Sequence, residues 1–252
     1  MRNRWPARGV FALALLAGLG ACTDSPVAPA APTLESADEI EPRAGFSARD
    51  AFVTVSAGLG FSCGTTLDGA AYCWGDNSFG QLGTGGFDGQ TLPAAVAGLA
   101  PAWSASAGAA HACALSRSGR VYCWGDNSLG QLGDGTFNGS GTPVAVQAAP
   151  SVVFAQVSAG AIHGCALALD GSAWCWGDNS LGQLGNGTTM GSAVPVRVQA
   201  PAGVRFVSVV TGDGAAHTCG LATSGAAYCW GDNTYGQLGT GSTASTTVPV
   251  LV

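Results

Sequence analysis

The stretch Trp74-Gly-Asp-Asn-Ser-Phe-Gly-Gln-Leu-Gly-Thr-Gly85 decides the fold, because the chain of 252 residues carries this pattern four times. The pattern Trp-Gly-Asp-Asn-Ser/Thr-x-Gly-Gln-Leu-Gly-x-Gly begins again at Trp124, Trp176 and Trp230, at spacings of 50, 52 and 54 residues. Internal repeats of this length indicate one supersecondary unit that is stacked on copies of itself. The body of the chain is therefore predicted to be one unit written four times.

A pair of cysteines precedes each copy, and the two members of every pair are ten residues apart. A loop such as Leu67-Asp68-Gly69 lies midway between them and is typical of a three-residue hairpin turn. Counting back from this loop, residue 66 faces residue 70, and Cys63 faces Cys73. Opposed residues on antiparallel strands have Cα atoms about 4.5–5.5 Å apart, which is within disulfide range. Four cross-strand disulfides are predicted: Cys63–Cys73, Cys113–Cys123, Cys165–Cys175 and Cys219–Cys229.

Two further strands are predicted in each repeat. A run such as Phe154–Ala159 precedes each hairpin, and a Pro-Val-x-Val strand follows each Gly-Gln-Leu-Gly loop at residues 143–146, 195–198 and 249–252, with 93–96 as the weaker first copy. Proline suits the start of a strand or an edge strand. Four strands in about 50 residues make one propeller blade. The predicted fold is all-β, a β-propeller of four-stranded antiparallel blades with one disulfide each, over repeats at about 51–100, 101–150, 151–203 and 204–252.

The first 21 residues predict an export signal, with three arginines before the apolar run Val10–Leu19, which is too short to span a bilayer. The run ends in Leu19-Gly-Ala-Cys22, which resembles the lipobox of bacterial lipoproteins and implies that Cys22 is acylated. Ordinary cleavage nearby, or an uncleaved signal, is the alternative. Residues 22–50 are rich in proline, alanine and acids and predict a disordered tether. We expect the protein to be anchored by this lipid alone to the cell envelope, in the periplasm or at the surface.

Charge and cysteine content narrow the function. All nine basic residues are arginines, and without residues 1–21 six basic residues oppose fifteen acidic ones, a net charge of −9. Nucleic-acid binders need clustered lysine and arginine, so nucleic acid is not an expected partner. Eight paired cysteines require an oxidising compartment, and Cys22 accounts for the odd ninth.

The sequence around His111 and Trp124 reads Ala-Gly-x-x-His-x-Cys-x-Leu and then Gly-x-Val-Tyr-Cys-Trp-Gly-Asp-Asn, followed by Gly-Gln-Leu-Gly. It resembles the regulator of chromosome condensation repeat, over residues 52–252. That resemblance implies a β-propeller, usually a ring of seven blades, although only four repeats stand here. Four blades that close a small ring, pair with a second chain or stay a partial array all remain open. Phe61 and Thr65 replace the usual histidine and leucine in the first repeat, as is typical of a terminal repeat.

No repeat carries a recognisable catalytic set. His111, His163 and His217 occupy one repeat position, where each is predicted to bond the backbone of its own blade, whereas a catalytic histidine needs a local partner and occurs once. The Asp-Asn pair after each Trp-Gly predicts a side-chain-capped turn, and it lacks the dense acids of a calcium loop. The repeat tryptophans are predicted to be core residues. We expect no catalytic residue, no cofactor and no metal, and hence no enzyme.

Residues that differ among the repeats are the better binding candidates, because loops on a rigid scaffold usually carry binding. The variable segments lie between the predicted third and fourth strands, at 84–92, 134–142, 186–194 and 240–247, and residues 211–214 are an insertion of repeat four. The candidate partner-binding residues are Phe87, Asp88, Phe137, Asn138, Met190 and Asp213.

The resulting prediction is an envelope-anchored interaction module that presents a rigid propeller to a protein or glycan partner, with self-association as a way to complete a ring. A structural surface-display protein without a specific partner is the alternative. Guanine-nucleotide exchange, implied by the family's namesake, conflicts with export. An enzyme would need a deep central pocket with asymmetric acids.

Overall fold

The structure is a computed structural model that describes residues 51–212 and 214–252. The predicted signal segment, Cys22 and the tether lie outside the described residues, and so does Asp213. Among the described residues, no helix is long and apolar enough to cross a membrane.

In the described part of the chain, sixteen strands form four antiparallel sheets, and each sheet takes four consecutive strands in sequence order. The first sheet contains β1 (Phe52–Ala57), β2 (Phe61–Thr66), β3 (Ala71–Gly75) and β4 (Gln90–Ala95). The second contains β5 (Ala102–Ala107), β6 (His111–Ser116), β7 (Val121–Gly125) and β8 (Ser140–Ala145). The third contains β9 (Phe154–Ala159), β10 (His163–Ala168), β11 (Ala173–Gly177) and β12 (Ser192–Arg197). The fourth contains β13 (Phe206–Thr211), β14 (His217–Ala222), β15 (Ala227–Gly231) and β16 (Thr246–Leu251).

The central hairpin of each sheet has the predicted register. Thr65 pairs with Ala71 and Cys63 pairs with Cys73, and the loop closes where the Gly69 amide donates to the Thr66 carbonyl at 2.9 Å. Gly69 has a φ of +95°, which an L side chain rarely adopts. Each sheet carries one disulfide, joining Cα atoms 4.0–4.1 Å apart. Four disulfides indicate an oxidising environment outside the cytoplasm.

The fourth strand of each sheet begins three residues earlier than the proline at which the sequence predicts its start. In the first sheet β4 starts at Gln90, which pairs with Gly75, and Pro93 lies inside the strand at an irregularity in the ladder. The missing amide of proline is tolerated there because the fourth strand is the edge of its sheet. The predicted variable segments therefore extend into this strand.

The hydrophobic core is divided into three clusters that lie between successive sheets. We call the side of a sheet that lies towards the next sheet in the sequence its forward face, and the opposite side its rear face. Between the second and third sheets, Leu115 and Leu132 on a forward face pack against Val157 and Trp176 on a rear face. Each sheet is therefore stabilised by its sequence neighbours, as in other repeat proteins.

A hydrogen bond repeats at every one of these interfaces. The indole Nε1 of Trp124 donates to the carbonyl of Gln81 in the preceding sheet at 2.8 Å, and Trp176 and Trp230 donate to Gln131 and Gln183 at 2.9 Å. The indole also covers a glycine: a Cβ placed on Gly83 would lie 2.8 Å from Nε1 of Trp124. The Gly-Gln-Leu-Gly part of the motif thus forms the socket for the next tryptophan.

The four sheets form an open array rather than a small closed ring. The first strands β1, β5, β9 and β13 contact one another in succession and form the inner edge of the array. Among the described residues, no contact of comparable extent joins the fourth sheet back to the first. Within residues 51–212 and 214–252, the rear face of the first sheet and the forward face of the fourth sheet consequently have no neighbouring sheet.

Candidate binding surface on the loops between the third and fourth strands

A buried asparagine holds each loop between the third and fourth strands. Asn77 accepts a hydrogen bond from the Leu82 amide at 2.9 Å, and its Nδ2 donates to the carbonyls of Gly86 at 2.9 Å and Asp88 at 3.1 Å. The same three contacts recur at Asn127, Asn179 and Asn233. These loops are therefore fixed by their own sequence motif.

The preceding aspartate caps the turn, as predicted. Asp76 accepts from the hydroxyl of Ser78 at 2.6 Å and from Nε2 of Gln81 at 2.7 Å. The hydrogen bond from Ser78 lowers the pKa of Asp76, and that from Thr234 lowers the pKa of Asp232. Within the described ranges, no group of three or more histidine, cysteine or acidic residues is arranged to hold a metal ion.

Each of the first three loops is hydrogen-bonded to the fourth strand of the next sheet. The amide of Gly85 donates to the carbonyl of Gly141 at 2.8 Å, Gly135 donates to Ala193 at 2.8 Å, and Gly187 donates to Thr247 at 2.9 Å. We call the continuous surface formed by residues 76–89, 126–139, 178–191 and 232–245 the loop face. The asparagine contacts hold each segment, and these hydrogen bonds attach the first three segments to the next sheet.

The structure places five of the six predicted binding residues on the loop face, with their side chains exposed: Phe87, Asp88, Phe137, Asn138 and Met190. Their exposure has a local cause. The carbonyls of Asp88, Asn138 and Met190 accept the hydrogen bonds from the buried asparagines, so the backbone is tied down while the side chain points away. The sixth residue, Asp213, lies outside the described residues.

Four more exposed apolar side chains lie in the same loops and escaped the sequence prediction: Phe79, Leu129, Leu181 and Tyr235. They occupy the variable position of the Asn-Ser/Thr-x-Gly-Gln pattern. Tyr235 is 91% exposed. The signal was present, since this one free position in a constant motif always carries a large apolar or aromatic residue.

The loop face is acidic and carries no arginine. It contains six aspartates, at positions 76, 88, 126, 134, 178 and 232. The four arginines among the described residues, Arg117, Arg120, Arg197 and Arg205, lie instead near the hairpins and strand ends on the opposite side of the sheets. The loop face and the hairpin side of the sheets therefore differ in charge.

The side of the sheets opposite the loop face, where the hairpins between the second and third strands turn, carries an exposed tryptophan and a cleft. Trp103 is exposed there, and the guanidinium carbon of Arg117 lies 5.2 Å from the centre of its ring, within the range of a cation–π contact. A surface cleft of about 510 Å³ lies between the third and fourth sheets and is lined by Arg197, Arg205 and residues 171–173 and 198–204. Of the residues that the structure describes, no acid, histidine or cysteine lines this cleft.

His111 and His163 do not make the predicted bonds to their own backbone. Nε2 of His163 lies 2.9 Å from the hydroxyl of Thr218 in the next sheet, and that hydroxyl donates to the Gln183 carbonyl at 3.0 Å. Within the part of the chain that is described, neither ring nitrogen of His111 has a hydrogen-bond partner. The prediction failed because these rings lie between two sheets. Burial lowers the pKa of His111 to about 4 and that of His163 to about 3.

Models of the regulator of chromosome condensation (RCC1) repeat match the chain in four successive copies. One model matches residues 68–115, 118–167, 170–221 and 224–252, and a second matches 52–81, 104–131, 154–183 and 206–237.

Relatives with the repeat are large proteins of differing function. Human probable E3 ubiquitin-protein ligase HERC6 is 37% identical over 204 residues, which are 79% of this chain and 15% of HERC6. The ultraviolet-B receptor UVR8 of Arabidopsis thaliana is 39% identical over 97 residues, 38% of this chain and 22% of UVR8. The chain thus spans less than a quarter of either relative.

Solved structures support the fold. Human WBSCR16 superposes with a TM-score of 0.72 at 23% identity, over 80% of this chain and 52% of WBSCR16. Prp20p of Saccharomyces cerevisiae superposes with a TM-score of 0.70 at 24% identity, over 80% of this chain and 50% of Prp20p. This chain therefore corresponds to about half of each structure. Its sheets are blades of the same kind, and because the repeat models match most of residues 52–252, the chain belongs to the RCC1 repeat family.

Proposed function

We propose that this protein is a binding module anchored to the cell envelope, and that it holds a protein partner on its loop face. The observation that carries the proposal is the row of exposed apolar side chains on loops that are themselves held rigid. Exposed aromatic residues on a rigid scaffold are favoured contact residues, because little conformational entropy is lost when they bind. Apolar side chains scattered singly would need no explanation, whereas a row across adjacent loops does.

The charge of the loop face limits the class of partner that it can bind. The loop face carries aspartates and no arginine, so a partner with basic groups around an apolar patch complements it, and a phosphate-rich partner does not. The Asp88 side chain is exposed, and its hydrogen bonds to other described residues involve its backbone carbonyl and not its carboxylate. It is therefore the acid best placed for such a contact.

Anchoring is argued from the sequence and the disulfides. The lipobox-like Leu19-Gly-Ala-Cys22 supports acylation of Cys22, and the four disulfides agree with a location outside the cytoplasm. We assign no catalytic role and no cofactor. Activities of the relatives, including the binding of Prp20p to Gsp1p and histones, belong to those proteins, since a shared fold does not carry function.

The test is a capture experiment with the disulfide-bonded full chain against envelope and secreted extracts, followed by titration of the purified partner. The double variant F87A/F137A truncates two aromatic side chains of the loop face. Because contact aromatics each contribute about 2 kcal/mol or more, we expect binding to weaken by at least about 100-fold.

The matched control is L67A/L169A, which truncates two exposed leucines at the hairpin tips on the opposite end and should bind like the wild type. Equal loss in both double variants would reject the loop face as the site. A ligand that depends on the loop face but proves to be a glycan would replace the protein partner. Absence of any saturable ligand would favour the surface-display alternative.

A further inference from the structure

The first and fourth sheets stand at the two ends of the array. Each has one face whose equivalents are buried at the three interfaces between successive sheets. Every internal interface joins the forward face of one sheet to the rear face of the next, with the same residue positions on each side. The same positions occur on the rear face of the first sheet and on the forward face of the fourth. Neither has a neighbouring sheet among the described residues.

Among the described residues, no sheet packs on the rear face of the first sheet, and its side chains are more exposed than their counterparts in the interior. Val55 is 70% exposed, whereas Val157 at the same position of the third sheet is 6% exposed. Trp74 is only partly buried, although the other three repeat tryptophans are fully buried. The ring of Trp74 contacts that of Phe52 in a tilted arrangement, with centroids 5.8 Å apart and ring planes inclined by 56°. Within the described residues its indole N–H makes no hydrogen bond.

The forward face of the fourth sheet likewise has no neighbouring sheet among the described residues. Leu221 is 43% exposed, whereas Leu167 at the same position is 5% exposed. Val252 is exposed, whereas Val198 is buried. The carbonyl of Gln237 receives no indole hydrogen bond in the described chain, although the equivalent carbonyls of Gln81, Gln131 and Gln183 each receive one.

We propose that a second copy of this chain docks the rear face of its first sheet on the forward face of the fourth sheet. The internal interfaces are the template for this contact. Trp74 of one copy donates to the Gln237 carbonyl of the other, and Val55 packs beside Leu221. His217 meets Ser62, which occupies the position that Thr218 has beside His163.

The occupant is a second copy because each copy carries both halves of the interface. The contact is head-to-tail, since one copy contributes a rear face and the other a forward face. The loop face takes no part in it, so this inference is independent of the proposed function and goes beyond it.

The experiment is sedimentation of the purified full chain in density-matched detergent, over a wide concentration range. The wild type is expected to associate reversibly. V55R and L221R each place a charge in one half of the interface and should weaken association at least 100-fold, a change of about 2.7 kcal/mol. The control L169R places the same charge at an exposed hairpin tip of the third sheet and should associate like the wild type.

Mixing the two variants tests the direction of the contact. The intact forward face of V55R fits the intact rear face of L221R, so the mixture should form a heterodimer although neither variant associates alone. Because Val55 and Leu221 are exposed in one copy, both variants should keep their four disulfides and near-ultraviolet circular dichroism.

A monomeric wild type, variants that associate like the wild type, or a mixture that stays monomeric would each overturn the proposal. F87A/F137A is expected to associate normally. A failure of partner binding and a failure of self-association are therefore read separately.

Discussion

Trp74 and Trp176 stand at the same position of the same motif, yet one is only partly buried and the other is completely buried. The difference does not come from their own repeats, whose hairpin registers are the same. It comes from the adjacent sheet. Trp176 packs against the second sheet, which precedes its own, and Trp74 has no preceding sheet among the described residues. In this fold a motif residue acquires its energetic role from the adjacent repeat.

The largest expected difference between the two positions is in the free energy of unfolding when the tryptophan is removed. We expect Trp176→Ala to lower the free energy of unfolding by about 3–5 kcal/mol, because a large buried side chain leaves a cavity. Trp74→Ala should cost about half as much or less, since its ring is already partly hydrated. Urea unfolding, measured at concentrations too low for association, checks the difference. Equal losses would mean that Trp74 is covered by another surface.

A smaller effect is expected from pH. Lowering the pH should reduce the free energy of unfolding through the buried histidines of the second and third sheets, a position at which the first sheet has no histidine. Burial depresses the folded pKa of His111 to about 4 and of His163 to about 3, below the ordinary value of 6.5. Between pH 6.5 and the depressed pKa of each histidine, the unfolded chain binds a proton at that histidine and the folded chain does not. Stability is therefore complete above about pH 6.5 and falls with decreasing pH, by about 1.4 kcal/mol per pH unit for each histidine.

The first sheet provides the control for this experiment, because Phe61 fills the histidine position there without titrating. H111F should reduce the slope of unfolding free energy against pH between pH 6.5 and 4.5 by up to about half, since burial also lowers the pKa of His217. The measurement is urea unfolding at several pH values. An unchanged slope in H111F would show that His111 does not carry the pH dependence.

The smallest expected effect concerns one hydroxyl. The hydroxyl of Thr218 contacts His163 and donates to the Gln183 carbonyl, so Thr218→Val should cost about 1–2 kcal/mol of unfolding free energy. Ser62 occupies the same position in the first sheet, and its side chain has no hydrogen-bond partner within the described ranges. Ser62→Ala should therefore be nearly neutral in the single copy. A comparable cost for both substitutions would break the comparison between the interior and the end.

Local features of the fold could be predicted because they depend on contacts within one repeat. The spacing of Cys63 and Cys73 determines the hairpin register, and the Asp-Asn pair determines the turn, since both operate over about ten residues. The sequence predicts the start of the fourth strand three residues late, because the predicted strand begins at proline, whereas proline is tolerated within an edge strand.

The binding surface was predictable only in part. Variation between repeats identified Phe87, Phe137 and Met190, whose side chains are exposed. Phe79 and Tyr235 were missed because they lie inside the constant motif, where a large apolar residue suggests burial. Whether such a side chain is buried depends on the direction in which the folded loop turns it, which sequence variation does not report.

The sequence by itself determined the repeating unit, its hairpins and its disulfides, because each follows from short-range spacing and turn chemistry. The tertiary structure was needed to show which copies of a residue are buried, what His111 and His163 contact, and that two complementary faces have no neighbouring sheet among the described residues. The physical reason is that every repeat presents nearly the same surface, and burial is a property of the pair of sheets that meet.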